Sequence, residues 1–290
     1  ESLCRQTFTD FEWLVVDDAS TDGTADLVKA WQAEGRLDIR YVWQPHGHKK
    51  VAHNRGVRMA RGELFLPLDS DDACVPEALE VLRRHWLAIP DDARSGFSAV
   101  TALCRDERGG IVGDRFPEDV LDSDPLEVRY VHRVRGEKWG FQRVDVLREF
   151  PFPEHVPGYV PEEVVWAPIG RRYRTRFVND ALRIYRAPSA DTDAQVSRSL
   201  DFKAMAPGHL EWMLSILSVD LPYIRHLPSR FLWAAACLTR FALHDRRRGM
   251  DAFRRVPRGL ARVLVALTLP VGAALYGRDR LVMLKKRWVG

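Results

Sequence analysis

An acidic tetrad, Asp69-Ser70-Asp71-Asp72, follows the apolar residues 64–68 and is the feature of this 290-residue sequence with the most chemical potential. Because residues 64–68 are all apolar, they predict a strand that is buried in a sheet. Three carboxylates at its end are costly unless a positive charge lies beside them. Mg²⁺ and Mn²⁺ bind one or two carboxylates together with substrate phosphates, so the tetrad is typical of such a site. The alternative is a solvated turn that caps the next helix, expected near Pro76.

The elements that must position the tetrad alternate between strand and helix. Residues 11–16 predict a buried strand that ends in a second acidic pair, Asp17-Asp18, and residues 19–24 have the cap chemistry of a helix start. A strand over 39–43 and a helix over 49–60 follow. This alternation predicts a parallel sheet with right-handed crossovers, in which ligands bind outside the carboxyl ends of the strands. Both acidic groups are therefore expected at the ligand-binding edge.

Three motifs together resemble those of the family 2 glycosyltransferases, which are inverting enzymes. The motifs are VVDDASTDGT at residues 15–24, AHNRG at 52–56, and ARGE at 60–63 running into LDSDD at 68–72. The resemblance covers roughly residues 1–190. It implies an α/β, GT-A (Rossmann-like) fold with a mostly parallel central sheet flanked by helices, followed here by a helical C-terminal segment.

The resemblance also implies roles for the acidic residues. Asp17 and Asp18 are expected to bind the base and ribose of a nucleotide-diphosphate sugar donor. Asp69 and Asp71 form the Asp-x-Asp motif, which contacts the ribose and the metal, Mn²⁺ or Mg²⁺, on the donor diphosphate. Asp72 is expected to assist or orient them. A cation at this place neutralises the charge that grows on the leaving diphosphate.

Transfer also needs a base, because the acceptor hydroxyl is too weak an acid to attack unaided. The segment at residues 157–166 contains Pro161, Glu162 and Glu163, which suit the first turn of a helix. Spacing alone is equally typical of first-turn carboxylates without a catalytic role. The resemblance makes this segment the expected site of the base, where relatives often have Glu-Asp. We favour Glu162 and keep Glu163 as the second candidate.

The sequence departs from the family pattern at two further places. His53 stands where many relatives have Arg, so Lys49, Lys50 or Arg55 are the candidates to supply the missing charge, and Asn54 is expected to contact the donor. The two lysines are otherwise a solvated helix start. The chain also opens with what resembles the tail of the first helix, so we expect that the family's first strand lies outside this sequence.

Two later segments of the sequence also carry residues that could reach a ligand. Residues 138–143 predict a strand whose Trp139 either stacks on a sugar ring of the acceptor or is buried. The polar residues 187–199 have the composition of a lid, from which Arg186 or Arg198 would reach the diphosphate. His46 and His48 lack partners at ligand spacing and are interpreted as loop residues, not as a zinc site.

Charge divides the sequence into two parts. Residues 1–202 carry 28 Lys or Arg and 35 Asp or Glu, whereas residues 203–290 carry 16 and 5. We therefore predict a catalytic domain over 1–202 and a basic amphipathic helical segment over 203–290. Apolar stretches at 210–219, 231–243 and 260–269 alternate with basic clusters, a pattern that suits an anionic membrane surface. The apolar run 263–277 is shorter than a span of about 20 residues and contains Pro270, which favours interfacial or re-entrant placement over a packed helical subdomain.

These features favour a metal-dependent inverting glycosyltransferase that acts on a saccharide or lipid-linked acceptor in surface polysaccharide synthesis. Scattered cysteines without a visible signal peptide indicate a cytoplasmic protein, peripheral at the inner face of the membrane. The basic stretches lack a nucleic-acid-binding motif, so nucleic acid is not an expected partner. The alternatives are a sugar-nucleotide pyrophosphorylase-like nucleotidyltransferase, a non-catalytic sugar-nucleotide-binding relative, and, less well supported, a phosphoacceptor receiver domain.

Overall fold

The computed structural model describes residues 1–186 and 201–289 and divides them into two compact units. The first unit comprises residues 1–151 and 169–186, and the second comprises 152–168 and 201–289. The predicted lid at residues 187–199, with Arg198, lies outside the described residues. The predicted domain division after residue 202 stays a prediction.

The first unit begins with a strand–helix–strand–helix arrangement. Strand β1 (Glu12–Asp18) leads through α1 (Thr24–Glu34) to β2 (Asp38–Gln44) and α2 (His48–Met59). The two strands are parallel and in register, with Glu12 opposite Asp38 and Asp18 opposite Gln44. Helix α1 packs on β1 through Trp31, whose ring stacks on that of Trp13 at 5.6 Å. The alternation predicted from the sequence is therefore confirmed over these residues.

Local sequence explains where α1 begins and ends. The Asp22 side chain accepts a hydrogen bond of 3.0 Å from the Thr24 amide, which satisfies one of the free amides at the start of the helix. The helix ends at Gly35, whose φ of +65° is a conformation that glycine adopts readily. Apart from buried Asp17, the residues of β1 are only half-buried. The predicted buried strand is more open because, in the described part of the chain, β1 pairs only with β2.

The remaining strands of the first unit form a six-stranded sheet in the order β3-β7-β5-β8-β4, with β6 also paired to β8. Its strands are β3 (Leu64–Phe65), β4 (Ala73–Cys74), β5 (Phe97–Arg105), β6 (Val120–Ser123), β7 (Lys138–Arg143) and β8 (Arg174–Ile184). The helices along this part of the chain are α3 (Ala78–Leu87), α4 (Asp91–Arg94), α5 (Pro125–Tyr130), α6 (Val144–Glu149) and α7 (Glu163–Gly170).

The strand pairing is mixed. β5 and β8 are parallel, whereas the other four pairs of this sheet are antiparallel. The expectation of a mostly parallel sheet rested on the strand–helix alternation of residues 12–59. Beyond that stretch, β7 runs antiparallel to both of its neighbours, β3 and β5. The predicted α/β class, with a central sheet, flanking helices and a helical C-terminal segment, is confirmed.

Aromatic residues in the core of this sheet contact the segment that precedes the acidic tetrad. Buried Trp86 of α3 meets Phe141 of β7 edge to face at 5.7 Å. Trp139, also buried, donates a hydrogen bond of 2.6 Å from its indole nitrogen to the Pro67 carbonyl. Of the two alternatives for Trp139, the structure therefore selects the buried aromatic. β3 itself covers only two residues of the predicted strand at 64–68.

Four helices make up most of the second unit: α8 (Phe202–Ser218), α9 (Pro228–His244), α10 (Arg246–Arg255) and α11 (Leu260–Val289). Each of the predicted apolar stretches of this segment lies on a helix. α11 continues through Pro270, so the interruption expected there does not occur. It packs against α9, where buried Asp279 accepts hydrogen bonds of 2.6 and 2.8 Å from Arg240. Gly272 permits the close approach, because a Cβ there would lie 2.4 Å from the Ala236 carbonyl oxygen.

Candidate active site

Asp17, the first acid at the end of β1, is buried and held by two donors. Its carboxylate accepts hydrogen bonds from the Tyr41 hydroxyl at 2.6 Å and from the Ser20 amide at 2.8 Å. Burial raises the pKa of Asp17, but these hydrogen bonds outweigh it, so its pKa lies below the ordinary value. The same contact raises the pKa of Tyr41 to about 12. Asp17 is therefore a fixed carboxylate in the charged state.

Asp18, the second acid of this pair, points to the segment that precedes α2. Its carboxylate accepts hydrogen bonds from the Gln44 side chain at 2.8 Å and the Gly47 amide at 2.7 Å, and it lies 2.9 Å from His46. Burial raises the pKa of Asp18. These donors and the backbone amide of His48 lower it by more than burial raises it, so the pKa lies below the ordinary value. Asp18 thus caps the start of α2 from a neighbouring strand.

The backbone around this pair adopts unusual conformations. Ala19 and His48 have φ values of +70° and +66°, a region that non-glycine residues enter at a cost of about 1–2 kcal/mol. The rings of His46 and His48 lie 4.4 Å apart, and burial lowers the pKa of His48. In the part of the chain that the structure describes, no group of three or more His, Cys, Asp or Glu is arranged to hold a metal ion.

Asp72, the last acid of the tetrad, is a buried structural residue. Its side chain is 2% exposed and pairs with the 9% exposed side chain of Arg183 on β8. The Nε atom of Arg183 donates to Asp72 at 2.8 Å, and the Arg186 amide donates to the other carboxylate oxygen at 3.1 Å. Burial lowers the pKa of Arg183, but the hydrogen bonds and charge of Asp72 raise it above the ordinary value. Asp72 therefore joins the turn to β8 and has little surface for a ligand, and its expected role in orienting Asp69 and Asp71 stays a prediction.

Asp69, the first acid of the tetrad, lies between two cations. The Lys49 ammonium approaches its two carboxylate oxygens at 3.0 and 3.2 Å, and an Arg183 nitrogen lies 3.4 Å away. A backbone hydrogen bond of 3.1 Å from the Asp72 amide to the Asp69 carbonyl closes the turn. The carboxylate remains partly exposed.

Asp71 differs from the other two acids. It is exposed, and among the described residues it has no hydrogen-bond or ion-pair partner. An exposed carboxylate beside a second, partly exposed one is suited to a hard cation that takes its other ligands from water and phosphate oxygens. The oxygen donors of Asp71 and Asp69 therefore suit Mg²⁺ or Mn²⁺, and their role as metal ligands stays a prediction.

The start of α2 brings the two acidic groups together. Gly47 and His46 contact Asp18, and Lys49, two residues further on, contacts Asp69. Free amides and the helix dipole favour negative charge at such a terminus. The structure thus assembles the acidic pair of β1, the tetrad and a positive helix end at one edge of the first unit.

Other predicted donor-binding residues are less accessible. Asn54 and Lys50 are buried on α2, and the ring of His53 packs edge to face on Phe65 at 5.2 Å. Arg55 donates to the Trp43 carbonyl at 3.1 Å. Among the three candidates to replace a family arginine, Lys49 contacts Asp69 of the acidic tetrad.

Glu162 and Glu163 belong to the second unit. Glu163 is the first residue of α7, and Glu162 precedes it. The Trp166 indole donates to the Glu162 carboxylate at 3.3 Å, and the Glu162 carbonyl accepts from the Val165 and Trp166 amides. Both glutamates are half-buried. The predicted first-turn position is confirmed for Glu163, and the catalytic role of either residue stays a prediction.

Sequence reasoning assigned no role to Arg183. It lies in β8, between Leu182 and Ile184. An arginine within an apolar strand needs a buried acidic partner, and this is the pattern by which it could have been found. The tetrad, however, lies more than 100 residues earlier in the chain.

Comparison with known proteins shows similarity to glycosyltransferases. Residues 1–109 match the family model for glycosyl transferase family 2. The chain is 35% identical over 92 residues to the uncharacterized glycosyltransferase YibD of Escherichia coli, a match that covers 32% of this chain and 26% of that protein. It is 27% identical over 194 residues to the GalNAc(5)-diNAcBac-PP-undecaprenol beta-1,3-glucosyltransferase of Campylobacter jejuni, covering 64% of this chain and 58% of that protein.

The solved structures show the same fold. S. aureus TarS 1–349 in complex with UDP-GlcNAc aligns over 97% of this chain and 86% of its own, with a TM-score of 0.65 and 18% identity. Residues 1–109 therefore resemble a family 2 glycosyltransferase domain, and the expected GT-A-like fold is confirmed. The matches span less than two thirds of the length of either sequence relative.

Proposed function

We propose that the protein is a metal-dependent, inverting glycosyltransferase that uses a nucleotide-diphosphate sugar. The observation that carries this proposal is the arrangement at the start of α2, where one helix end contacts both Asp18 and Asp69 and Asp71 stands exposed beside them. The match of residues 1–109 to the family model supports it.

The acidic pair of β1 is proposed to bind the nucleoside. Its two carboxylates are charged and fixed by Tyr41, Gln44 and the α2 backbone. Charged carboxylates accept strong hydrogen bonds from the N–H groups of a base or the hydroxyls of a ribose. The positive end of α2 lies beside them and would favour the diphosphate.

Asp71 and Asp69 are proposed to hold Mn²⁺ or Mg²⁺. When bound, the cation neutralises the charge that develops on the leaving diphosphate. The protein's own part is to present Asp71 exposed to solvent on a turn that the hydrogen bond from Arg183 to Asp72 holds against β8. Asp69, which remains partly exposed, would contact both the ribose and the cation.

Glu162 is proposed as the base, with Glu163 as the second candidate. A base takes the proton from the acceptor hydroxyl as its oxygen bonds to the anomeric carbon, and the bond from that carbon to the phosphate oxygen breaks. Single displacement inverts the configuration at the anomeric carbon. The indole hydrogen bond to Glu162 would hold its carboxylate in one orientation.

The acceptor is proposed to be a saccharide or a lipid-linked saccharide of surface polysaccharide synthesis. The Campylobacter relative, by its name, acts on an undecaprenol-diphosphate glycan. A lipid-linked acceptor is reached at a membrane, and we place the protein at the cytoplasmic face.

A panel of nucleotide-diphosphate sugars, incubated with Mn²⁺, Mg²⁺ or a chelator, tests this function. We expect release of the nucleoside diphosphate from one or a few donors, and its loss with chelator. Turnover of a nucleoside triphosphate with a sugar phosphate would instead indicate a nucleotidyltransferase. Binding of donors without turnover, with a saccharide acceptor mixture present, would indicate a non-catalytic relative.

Helix α11 is proposed to contact an anionic membrane surface. By length and composition, Leu260–Leu284 is the stretch among the described residues that could cross a membrane; an 18-residue window within it has a mean hydropathy of 1.7 and is 28% buried. One side of α11, which includes Asp279 and Gly272, packs against α9. The opposite side exposes apolar residues, of which Leu267 and Leu281 are 70% and 62% exposed. A helix held on one side and apolar on the other suits in-plane binding, with nearby arginines facing anionic headgroups.

Flotation with lipid vesicles tests this surface. The wild type is expected to float with vesicles that contain anionic phosphatidylglycerol, and a Leu267→Glu, Leu281→Glu variant is expected to remain in the soluble fraction. Leu27→Glu, at a residue of α1 that is 50% exposed, is the matched control and should float normally. Equal flotation of the wild type and the double variant would remove α11 from membrane binding.

A further inference from the structure

Two cations contact Asp69, and they differ in how firmly they are held. Arg183 is 9% exposed and donates to buried Asp72, which fixes its guanidinium. Lys49 is 53% exposed, and its ammonium lies 3.0 Å from Asp69. A buried arginine in a multidentate pair cannot leave without exposing an unpaired charge, whereas a lysine on a flexible stem can.

The Lys49 ammonium occupies the place beside the Asp69 carboxylate where a metal ion would also be expected to bind. It lies within 3.2 Å of both carboxylate oxygens. A metal ion bound by Asp69 and Asp71 would carry positive charge to the same carboxylate. Like charges repel, so the ammonium and a metal ion compete for Asp69.

The backbone of Lys49 also places it beside the proposed diphosphate. Lys49 is the second residue of α2, and the amide of Gly47 at the same helix end donates to Asp18. An ammonium displaced from Asp69 therefore has a second anionic partner within the reach of its side chain when a diphosphate is bound.

We propose that Lys49 is an exchangeable counter-ion, which neutralises Asp69 in the absence of donor and passes to the donor diphosphate when the metal–nucleotide complex binds. This inference rests on the proposed function, because it uses the same donor site. Lys49 is a binding and positioning residue in this account, and Arg183 remains with Asp72 in both states.

The inference predicts two effects of opposite sign in Lys49→Met. For Mn²⁺ alone, measured by titration calorimetry or by the electron paramagnetic resonance of free Mn²⁺, the variant should bind about two- to fivefold more tightly, since a competing exposed ion pair is removed. For the Mn²⁺–UDP complex, the variant should bind about tenfold more weakly, since a charged hydrogen bond to phosphate is lost. Lys29→Met, which removes an exposed lysine paired with Asp26 on α1, should change neither affinity.

Each outcome decides the question. Opposite changes in the two affinities support the exchange, whereas changes of the same sign, or none, overturn it while leaving the proposed function intact. If the wild type binds neither Mn²⁺–UDP nor Mn²⁺ with GDP or ADP, the proposed function fails, and the inference fails with it. Thermal unfolding of Lys49→Met should match the wild type, which excludes a folding defect at this exposed residue.

Discussion

Arg183, near the end of β8, donates hydrogen bonds to Asp72, the last acid of the tetrad, although 111 residues separate them in the chain. Both side chains are buried, and the Arg186 amide completes the shell of the carboxylate. The ion pair joins β8 to the turn that carries Asp69 and Asp71. The geometry of the proposed metal site therefore depends on a residue that does not itself bind the metal.

Arg183→Met should destabilise the protein by about 3–5 kcal/mol, because it leaves the Asp72 carboxylate buried and unpaired. Urea unfolding followed by circular dichroism measures the change. Adding Asp72→Asn should recover part of the loss, since the uncompensated charge is then removed. Lys29→Met, which breaks an exposed pair with Asp26, should cost less than about 1 kcal/mol. A loss no larger than that of this control would contradict the structural role of Arg183.

The hydrogen bond between Tyr41 and Asp17 should give stability a dependence on pH at both extremes. Asp17 has a lowered pKa, so its contribution is present above about pH 4 and is lost as pH falls through the folded pKa. The pKa of Tyr41 is raised to about 12. Its contribution is therefore full below about pH 10 and is lost as pH rises toward that value.

Tyr41→Phe tests both limbs by melting temperature against pH. Below about pH 4 the melting temperature of the variant should fall less steeply than that of the wild type, because Asp17 loses a hydrogen bond that lowers its folded pKa, and the gap between its folded and unfolded pKa becomes smaller. Above pH 10 its melting temperature should fall less steeply than that of the wild type. Tyr173→Phe, which removes a longer contact of 3.4 Å to Glu149, is the control. Parallel curves for wild type and Tyr41→Phe would contradict the assignment.

Substitution of each glutamate separately should identify the base. For the residue that accepts the acceptor proton, Gln should lower kcat by about 10²–10⁴-fold and leave UDP affinity unchanged, because donor binding does not use that carboxylate. The other variant should stay within a small factor of the wild type. Full activity of both Glu162→Gln and Glu163→Gln would exclude this segment from proton transfer.

The part of the fold that could be predicted from sequence is the part built from local patterns. The strands and helices of residues 12–59 follow from apolar runs separated by cap residues, and Asp17 and Asp18 fall at the strand end as expected. The pairing of β4 with β8 could not be predicted, because β4 is two residues long and its partner lies far away in the chain.

The site shows the same division. The resemblance predicts roles for Asp69 and Asp71, but the sequence does not show that Asp72 pairs with Arg183 or that Lys49 contacts Asp69. Those contacts join β8 and α2 to the tetrad, and they depend on tertiary packing. Trp139 illustrates the converse, since its type fits a sugar-stacking role that burial against Pro67 excludes.

The most direct test of the account is the binding of Mn²⁺ in the presence of UDP, measured by titration calorimetry for the wild type and for Asp71→Asn. We expect the variant to bind at least about tenfold more weakly and to lose donor turnover, while its unfolding free energy stays within about 0.5 kcal/mol of the wild type, because Asp71 is exposed. Asp26→Asn, on the exposed face of α1, should leave binding and turnover unchanged. Unaltered Mn²⁺–UDP binding and turnover in Asp71→Asn would contradict the proposed metal site.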